Sequence, residues 1–364
     1  MPTDLPIDPL PYEISSYDFE LPPELVAQQP LAQRDASRLL VLERATGARQ
    51  HRSFTDLPQL LRPGDLLVTN RSRVLPARLL GRRPGGGEAE ILLVRRHAPD
   101  LWDAMVRPGR RLRPGAVVDV GPGLRVRIEG PETGAPAAGD RAPPSPLRRV
   151  RLLLDGLDAD TALEHHGHVP LPPYIRRPDA PSDRDRYQTV YAREGGSVAA
   201  PTAGLHFTTA LLERLHERGI ERAELVLHVG PGTFRPVEAQ DVREHRVDPE
   251  RFTIPADTAA AVDRARAEGR RVVAVGTTAT RALESALGPG GRLHPGEGET
   301  DLVIVPGFHF RAVDALVTNF HLPRSSLLLL VSAFGGRERV LSAYAEAVRQ
   351  RYRFYSYGDA MLLG

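Results

Sequence analysis

The sequence reads as an α/β protein interrupted by an inserted small β-barrel, and three observations lead there. Between residues 74 and 154 about six short apolar runs are separated by turn residues without helical periodicity, the pattern of a small barrel. Beyond residue 163 helix and strand patterns alternate, as in an open α/β sheet. Strand patterns also precede the barrel run, so the α/β catalytic domain is discontinuous, 1–73 with 156–364, around a barrel at 74–155. A length of 364 residues supplies both parts with enough chain for a core.

The first 16 residues are proline-rich and aperiodic, which predicts an extended arm. Residues 21–27 read as a short helix, 38–43 as a strand with Leu39 and Val41 inside, and 65–69 as a strand ending at Asn70. The barrel strands are expected at 77–81, 89–94, 102–106, 116–120, 124–128 and 150–154. The stretch GPETGAPAAGDRAPPSP (130–146) has almost nothing to bury and reads as a hairpin extension or disordered loop. After the barrel, Thr208 or Thr209 caps a helix with Leu211, Leu212 and Leu215 on one face, and Gly219 ends it. A strand at 223–229 follows. Asp257 is the expected cap of a helix through Glu268, before a strand at 271–275 that opens into Gly276-Thr277-Thr278. Further strands are expected at 301–305 and 312–318, and helices at 325–334 and 337–350.

Composition excludes several chemistries. There is no cysteine, hence no thiolate nucleophile, disulfide, or cysteine-ligated zinc or iron–sulfur cluster. There is no lysine either, so all 48 basic residues are arginine, and neither a Schiff base nor a lysine-bearing phosphate loop is available. The longest apolar run, 327–333, is far too short to span a bilayer, and the first residues lack the basic and apolar regions of a signal peptide. A cytoplasmic protein is expected. The formal charge of +2 is unevenly spread, since residues 74–155 hold 15 arginines against nine acids. That excess, clustered at 82–83, 95–96, 107–113 (with Arg110, Arg111 and Arg113) and 148–151, suits a polyanion on the barrel, or else marks solvated strand faces.

The candidate site residues fall where strands end. In GGSVAAPTAGLHF (195–207) and LHVGPGTF (227–234), small residues run into Thr202, Gly204 and His206, and a strand ends at His228 before Gly232 and Thr233. Open α/β sheets place ligands at such carboxyl edges, and glycine-rich backbone admits a large ligand closely. The Gly276-Thr277-Thr278 turn is a ready site for an anion. Arg281 and Glu284 lie one turn further on, either as ligand contacts or as an intrahelical ion pair. Asn319 and His321 close an apolar strand, where they can orient a substrate or shuttle a proton, or merely cap the turn, with Asp314 upstream either orienting the histidine or starting the strand. His165, His166 and His168 tempt a metal assignment, but adjacent positions on a helix point to different faces and no further ligand is evident, so no metal is expected.

These stretches resemble the S-adenosylmethionine:tRNA ribosyltransferase-isomerases of queuosine biosynthesis. SVAAPTAGLHF and LHVG-x-GTF-x-PV are hallmark stretches of that family. The likeness extends through DFELPPELVAQQP (18–30), ASRLLVL (36–42), RVLPARL (73–79), PLPPYI (170–175), RYQTVYA (186–192), VGTTATRALES (275–285), VDALVTNFHLPRSSL (313–327) and YRFYSYGDAML (352–362). Small departures are NRSRV (70–74), with an arginine where asparagine or aspartate is usual, Pro231 in place of alanine, and the PGFHF variant (306–310). The resemblance implies a larger α/β domain with a smaller barrel, a monomer, and no metal or redox cofactor. It implies transfer and isomerisation of the ribosyl moiety of S-adenosylmethionine onto 7-aminomethyl-7-deazaguanine at the tRNA wobble position, giving epoxyqueuosine, adenine and methionine. His206, His228 and His321 are then the candidate proton-transfer groups. The binding candidates are Thr202, Gly204, Gly232, Thr233, Thr277, Thr278, Arg281, Glu284, Asn319, Arg110, Arg111 and Arg113. Two rival readings share the scaffold: one enzyme acting on a free deazaguanine, and one catalytically silent RNA-binding protein.

Overall fold

The computed structural model describes residues 12–131 and 147–364. Four parallel strands form the middle of a nine-stranded sheet, in the spatial order Glu221–Leu227, Leu66–Asn70, Val272–Val275 and Ala315–Asn319. The last three are buried at every residue, which matches their continuous apolar runs and coverage on both faces. Antiparallel strands Glu250–Ile254 and Gly296–Thr300 extend one edge. On the other side Ala360–Leu363 lies antiparallel to Ala315–Asn319, and Arg38–Leu42 and Arg49–Ser53 follow it.

Alternation along Leu66–Asn70 divides the core. Leu66 and Val68 pack on the layer of helices Ala256–Ala267, Thr277–Ala286, Ser326–Gly335 and Arg337–Arg349. Leu67 faces the opposite layer, where Leu211 and Leu215 of helix Thr209–Glu217 cover it.

The second sheet closes on itself. Its strands run Arg78–Arg82, Glu88–Ala98, Leu101–Arg107, Leu147–Leu154, Leu124–Pro131 and Val117–Gly121, and Arg82 pairs back onto Asp119. Gly81 makes that closure possible, because a Cβ there would stand 2.5 Å from the Asp119 carbonyl oxygen. Leu79, Ile91, Ala104, Val118, Val126 and Val150 fill the interior. Each of the six apolar runs read from the sequence supplies one of these strands. Helix Ala159–His166 covers the barrel with Ala159, Ala162 and Leu163, and Gly167–His168 adds a short strand beside Arg78–Arg82. The fold is thus α/β with an inserted closed barrel.

Several local expectations need correction. Residues 301–305 form no strand; the edge strand is Gly296–Thr300, whose GEGET sequence has no apolar alternation to betray it. It fits because Gly298 lies under the Phe252 ring, where a Cβ would come within 2.6 Å. The helix expected to be capped by Asp257 starts at Ala256, with Pro255 in the cap position two residues earlier. Residues 21–27 make only the 3-10 turn Pro23–Leu25, because prolines at 22 and 23 remove the donors a longer helix needs. Most of the arm and of the 130–146 stretch lie outside the described residues.

Candidate active site

The cleft between the two sheets encloses a cavity of about 290 Å³. The barrel contributes Val94, Arg95 and Leu147, and the α/β part contributes Gly196, residues 228–233, Asp248, Glu250, Arg251, Arg281 and the stretch 302–304. Leu327 and Leu330, from the start of helix Ser326–Gly335, complete an apolar side. Four sequence candidates meet here: His228, Gly232, Thr233 and Arg281.

His228 follows directly on strand Glu221–Leu227, and its Nδ1 is buried with no hydrogen-bond partner among the described residues. That atom faces Gly196, whose φ of +143° and missing side chain leave room for the ring; a Cβ there would sit 2.6 Å from Nδ1. Burial, then the positive charge of Arg251, lowers the imidazole below its ordinary range, while Glu194 works the other way. The ring is therefore neutral near pH 7, as a proton acceptor must be.

Glu250 ties the site together. Its Oε1 accepts from the Gly230 amide at 2.8 Å and the Thr233 hydroxyl at 3.2 Å, and its Oε2 pairs with Arg281. Arg281 also donates to the carbonyls of Leu302 at 2.9 Å and Thr300 at 3.4 Å. Both charges are more than nine-tenths buried, so the pair anchors the Gly230–Thr233 turn from the floor of the cavity. Arg281 thus pairs across the fold and not with Glu284. Arg95 and Glu299 form a bridge of 3.3 Å at the mouth, and Asp248 lies beside Gly232.

The other candidates go elsewhere. His206, Thr202 and Asn319 form a separate buried network with Ser37. Thr202 Oγ1 donates to Asn319 Oδ1 at 2.9 Å, Asn319 Nδ2 faces His206 Nε2 at 3.1 Å, and His206 Nδ1 is 2.7 Å from Ser37 Oγ. The amide donor makes Nε2 the acceptor, so Nδ1 carries the ring proton and donates to Ser37. Ser37 and His206 border a crevice of about 20 Å³. Gly204 belongs to the same turn and packs against the Tyr191 hydroxyl and the Thr189 methyl. His321 meets Thr318 Oγ1 at 2.8 Å and takes no part in the cavity. Asp314, the carboxylate expected to orient it, instead accepts from the Val272 amide at 2.8 Å and fixes strand register.

Thr277 and Thr278 are buried at the start of helix Thr277–Ala286, with Thr278 Oγ1 accepting from Asn70 at 3.4 Å, and neither lines the cavity. Glu284 accepts from the amides of Arg311, Ala312 and Val313, so it shapes the loop before strand Ala315–Asn319. Arg110, Arg111 and Arg113 are exposed on the barrel loop after Leu101–Arg107, without a carboxylate partner among the described residues. The histidine cluster disperses: His166 Nε2 donates to the Pro122 carbonyl at 2.9 Å and His168 Nδ1 to Asp179 at 3.0 Å, while His165 is exposed.

Sequence reasoning missed Glu250, Arg251, Asp248, Arg95 and Glu299. For Glu250 a signal existed. In ERFTI (250–254) the alternation puts the glutamate on the same inward face as Phe252 and Ile254, and a carboxylate on a buried face needs a partner.

The two sequestered histidines contribute to acid sensitivity. Burial, helped by Arg353, pushes His206 down to about 4, and burial alone pushes His321 down to about 3. A free imidazole titrates near 6.5, so between these values the unfolded chain binds protons that the folded chain refuses. Stability is full above pH 6.5 and falls as pH drops towards 4, by roughly 3 kcal/mol for His206 alone. In urea titrations across pH 4–7, His206→Gln should flatten the slope of unfolding free energy against pH. An unchanged slope would show that His206 is not a contributor.

An α/β sheet carrying a barrel as an insertion, with a cleft lined from both, is an arrangement in which a ligand fits between sheet edge and barrel wall. The family model described as "Queuosine biosynthesis protein" matches residues 14–363. A relative from Moorella thermoacetica is 52% identical over 96% of this chain and 99% of its own length, and one from Thermus thermophilus is 54% identical over the same shares. Both are named S-adenosylmethionine:tRNA ribosyltransferase-isomerase. The crystal structure of S-adenosylmethionine tRNA ribosyltransferase from Thermotoga maritima is 38% identical, aligns over 96% of this chain and all of its own, and has a TM-score of 0.54. The chain belongs to the queuosine biosynthesis protein family.

Proposed function

We propose that this chain is a transferase that moves the ribosyl moiety of S-adenosylmethionine onto 7-aminomethyl-7-deazaguanine at the tRNA wobble position and isomerises it. The products are epoxyqueuosine in tRNA, adenine and methionine. Membership of the family supports the activity, and one observation supports its location: the cleft is lined by His228, which has an unpartnered buried nitrogen, together with Asp248, Glu250 and Glu299. A sulfonium and an amino-acid ammonium are cations; Asp248 and Glu299, whose arginine partners stand 3.8 and 3.3 Å away near the surface, are the carboxylates that can turn to them, while Glu250 stays with Arg281. His228, neutral, takes the acidic proton next to the sulfonium, and the imidazolium formed is a proton source for the departing adenine. Leu302, Ile304, Leu327 and Leu330 supply the apolar side for a purine. No metal or redox cofactor enters this chemistry, and S-adenosylmethionine is consumed as a substrate. Incubation with S-adenosylmethionine and precursor-bearing tRNA, followed by nucleoside mass spectrometry, tests the reading. Epoxyqueuosine is expected, and an unaltered precursor nucleoside would refute it.

The barrel is the electrostatic half of the RNA surface. Replacing Arg110, Arg111 and Arg113 by glutamate should weaken tRNA binding and leave S-adenosylmethionine binding intact, and wild-type affinity should fall steeply with salt. Equal tRNA affinity in the triple variant would move the contact to the α/β sheet. Exhaustive chelation should leave turnover unaltered; loss restored by zinc would implicate a metal. We place the enzyme in the cytoplasm, where its tRNA substrate is, as a monomer. No helix of the described residues is long and apolar enough to cross a membrane.

A further inference from the structure

A second, larger cavity of about 690 Å³ opens on the other face of Pro231, the residue it shares with the cleft just described. One wall is the outside of the barrel, and its register is specific. Arg78, Leu92 and Met105 are neighbours across three strands, and Leu80, Glu90 and Arg107 form the next row. Leu92 is partly buried and packs against the barrel core, whereas Leu80 and Met105 stand outside that core and face the cavity. Leu80 is 40% exposed, one of two large hydrophobic residues so placed among those described. The facing wall is Pro170, Leu171, Pro172 and Pro173, held by buried Ile175.

Charge says what fits between these walls. Five arginines border the cavity: Arg78, Arg107, Arg176, Arg177 and Arg235. Glu90 neutralises Arg78 at 3.1 Å, Asp183 neutralises Arg177 at 2.6 Å, and Asp248 stands 3.8 Å from Arg235. Arg107 and Arg176 are exposed and have no carboxylate partner among the described residues. Apolar walls of Leu, Met and Pro with two unmatched guanidinium groups at the rim suit a base buried against apolar side chains and attached to a phosphate held by arginine. A sulfonium compound carries no phosphate and would be repelled there. The position relative to the cleft also favours a polymer, since two cavities that meet at one residue can hold consecutive units of one chain.

We infer that this second cavity binds the RNA nucleotide adjacent to the one being modified, its base between Leu80, Leu92, Met105 and the 170–173 prolines, and its phosphate on Arg107 and Arg176. The inference rests on the proposed tRNA reaction. The test uses the full chain and an anticodon stem-loop RNA bearing the precursor base. Arg107→Glu/Arg176→Glu should raise the RNA KM at least tenfold, leave the S-adenosylmethionine KM within about twofold, and reduce the slope of log affinity against log salt by about two. Thermal unfolding of this variant should match wild type, since neither side chain is paired. A stem-loop abasic at one neighbour of the modified position should bind wild type roughly 5- to 100-fold more weakly, and Leu92→Ser/Met105→Ser should erase most of that difference. Full RNA affinity in the arginine variant, or an abasic penalty that persists in the serine variant, would overturn the inference. A rise confined to the S-adenosylmethionine KM would also overturn it, and assign the cavity to that substrate. Failure of wild type to convert the precursor RNA would instead sink the functional reading.

Discussion

His228→Gln should lose about 100- to 10,000-fold in single-turnover rate, followed with precursor-bearing tRNA, while both substrates still bind. Glutamine preserves a polar side chain of similar reach beside Gly196 but cannot accept and return a proton at neutral pH. The pH profile should carry the same signature. Burial and Arg251 depress the imidazole, so protonation, and with it loss of the base, sets in only below the ordinary value near 6.5. The acid limb of kcat/KM in wild type should therefore have its midpoint below pH 6.5, and the variant should lack that limb. A variant with near-normal kcat and only a raised KM would make His228 a binding residue, with the base then to be sought among the carboxylates of the cleft. Parallel variants of His206 and His321 should alter stability far more than chemistry, since neither ring lines the cavity.

The second large effect is on stability. Glu250→Ala should cost roughly 3–5 kcal/mol in equilibrium unfolding, because it strands the buried Arg281 charge and frees the Gly230 amide and Thr233 hydroxyl. Glu250→Gln keeps an acceptor for the latter two and removes only the charge, so it should fall between wild type and the alanine variant. Equality of the two variants would assign the whole effect to the charge. A loss under about 1 kcal/mol in Glu250→Ala would mean that water reaches Arg281 and that the pair is effectively exposed.

The barrel was legible because each strand carries its own apolar alternation and turn, and local signals suffice for a meander of short strands. The central parallel strands were legible for a related reason, being continuous apolar runs. Gly296–Thr300 was not, because its place at the edge depends on Gly298 passing beneath Phe252, a contact between residues far apart in sequence. The site divided along the same line. Small-residue turns pointed to His228, Gly232 and Thr233, but spacing says nothing about which turns share a cavity. His206 looked equivalent to His228 in sequence, and only the tertiary fold hands it to Ser37 and Asn319. Arg281 and Glu284, one turn apart, suggested either ligand contacts or a pair to each other, yet each finds a protein partner over 25 residues away, in Glu250 and in the 311–313 amides.

The position of Ala360–Leu363 bears on how the molecule is made. It is wedged between Ala315–Asn319 and Arg38–Leu42, so the hairpin formed by Arg38–Leu42 and Arg49–Ser53 has no place in the sheet until the last strand leaves the ribosome. The barrel, contiguous in the chain, is free of that wait and can close while more than half of the α/β sequence is still unmade. During the interval the early hairpin offers an open edge with Leu39, Leu40 and Leu42 unsheltered, residues that are fully buried once folding ends. Translation from residue 54 onward is thus a window in which this enzyme is exposed to mispairing, and its duration is set by the ribosome and not by the chemistry of the cleft.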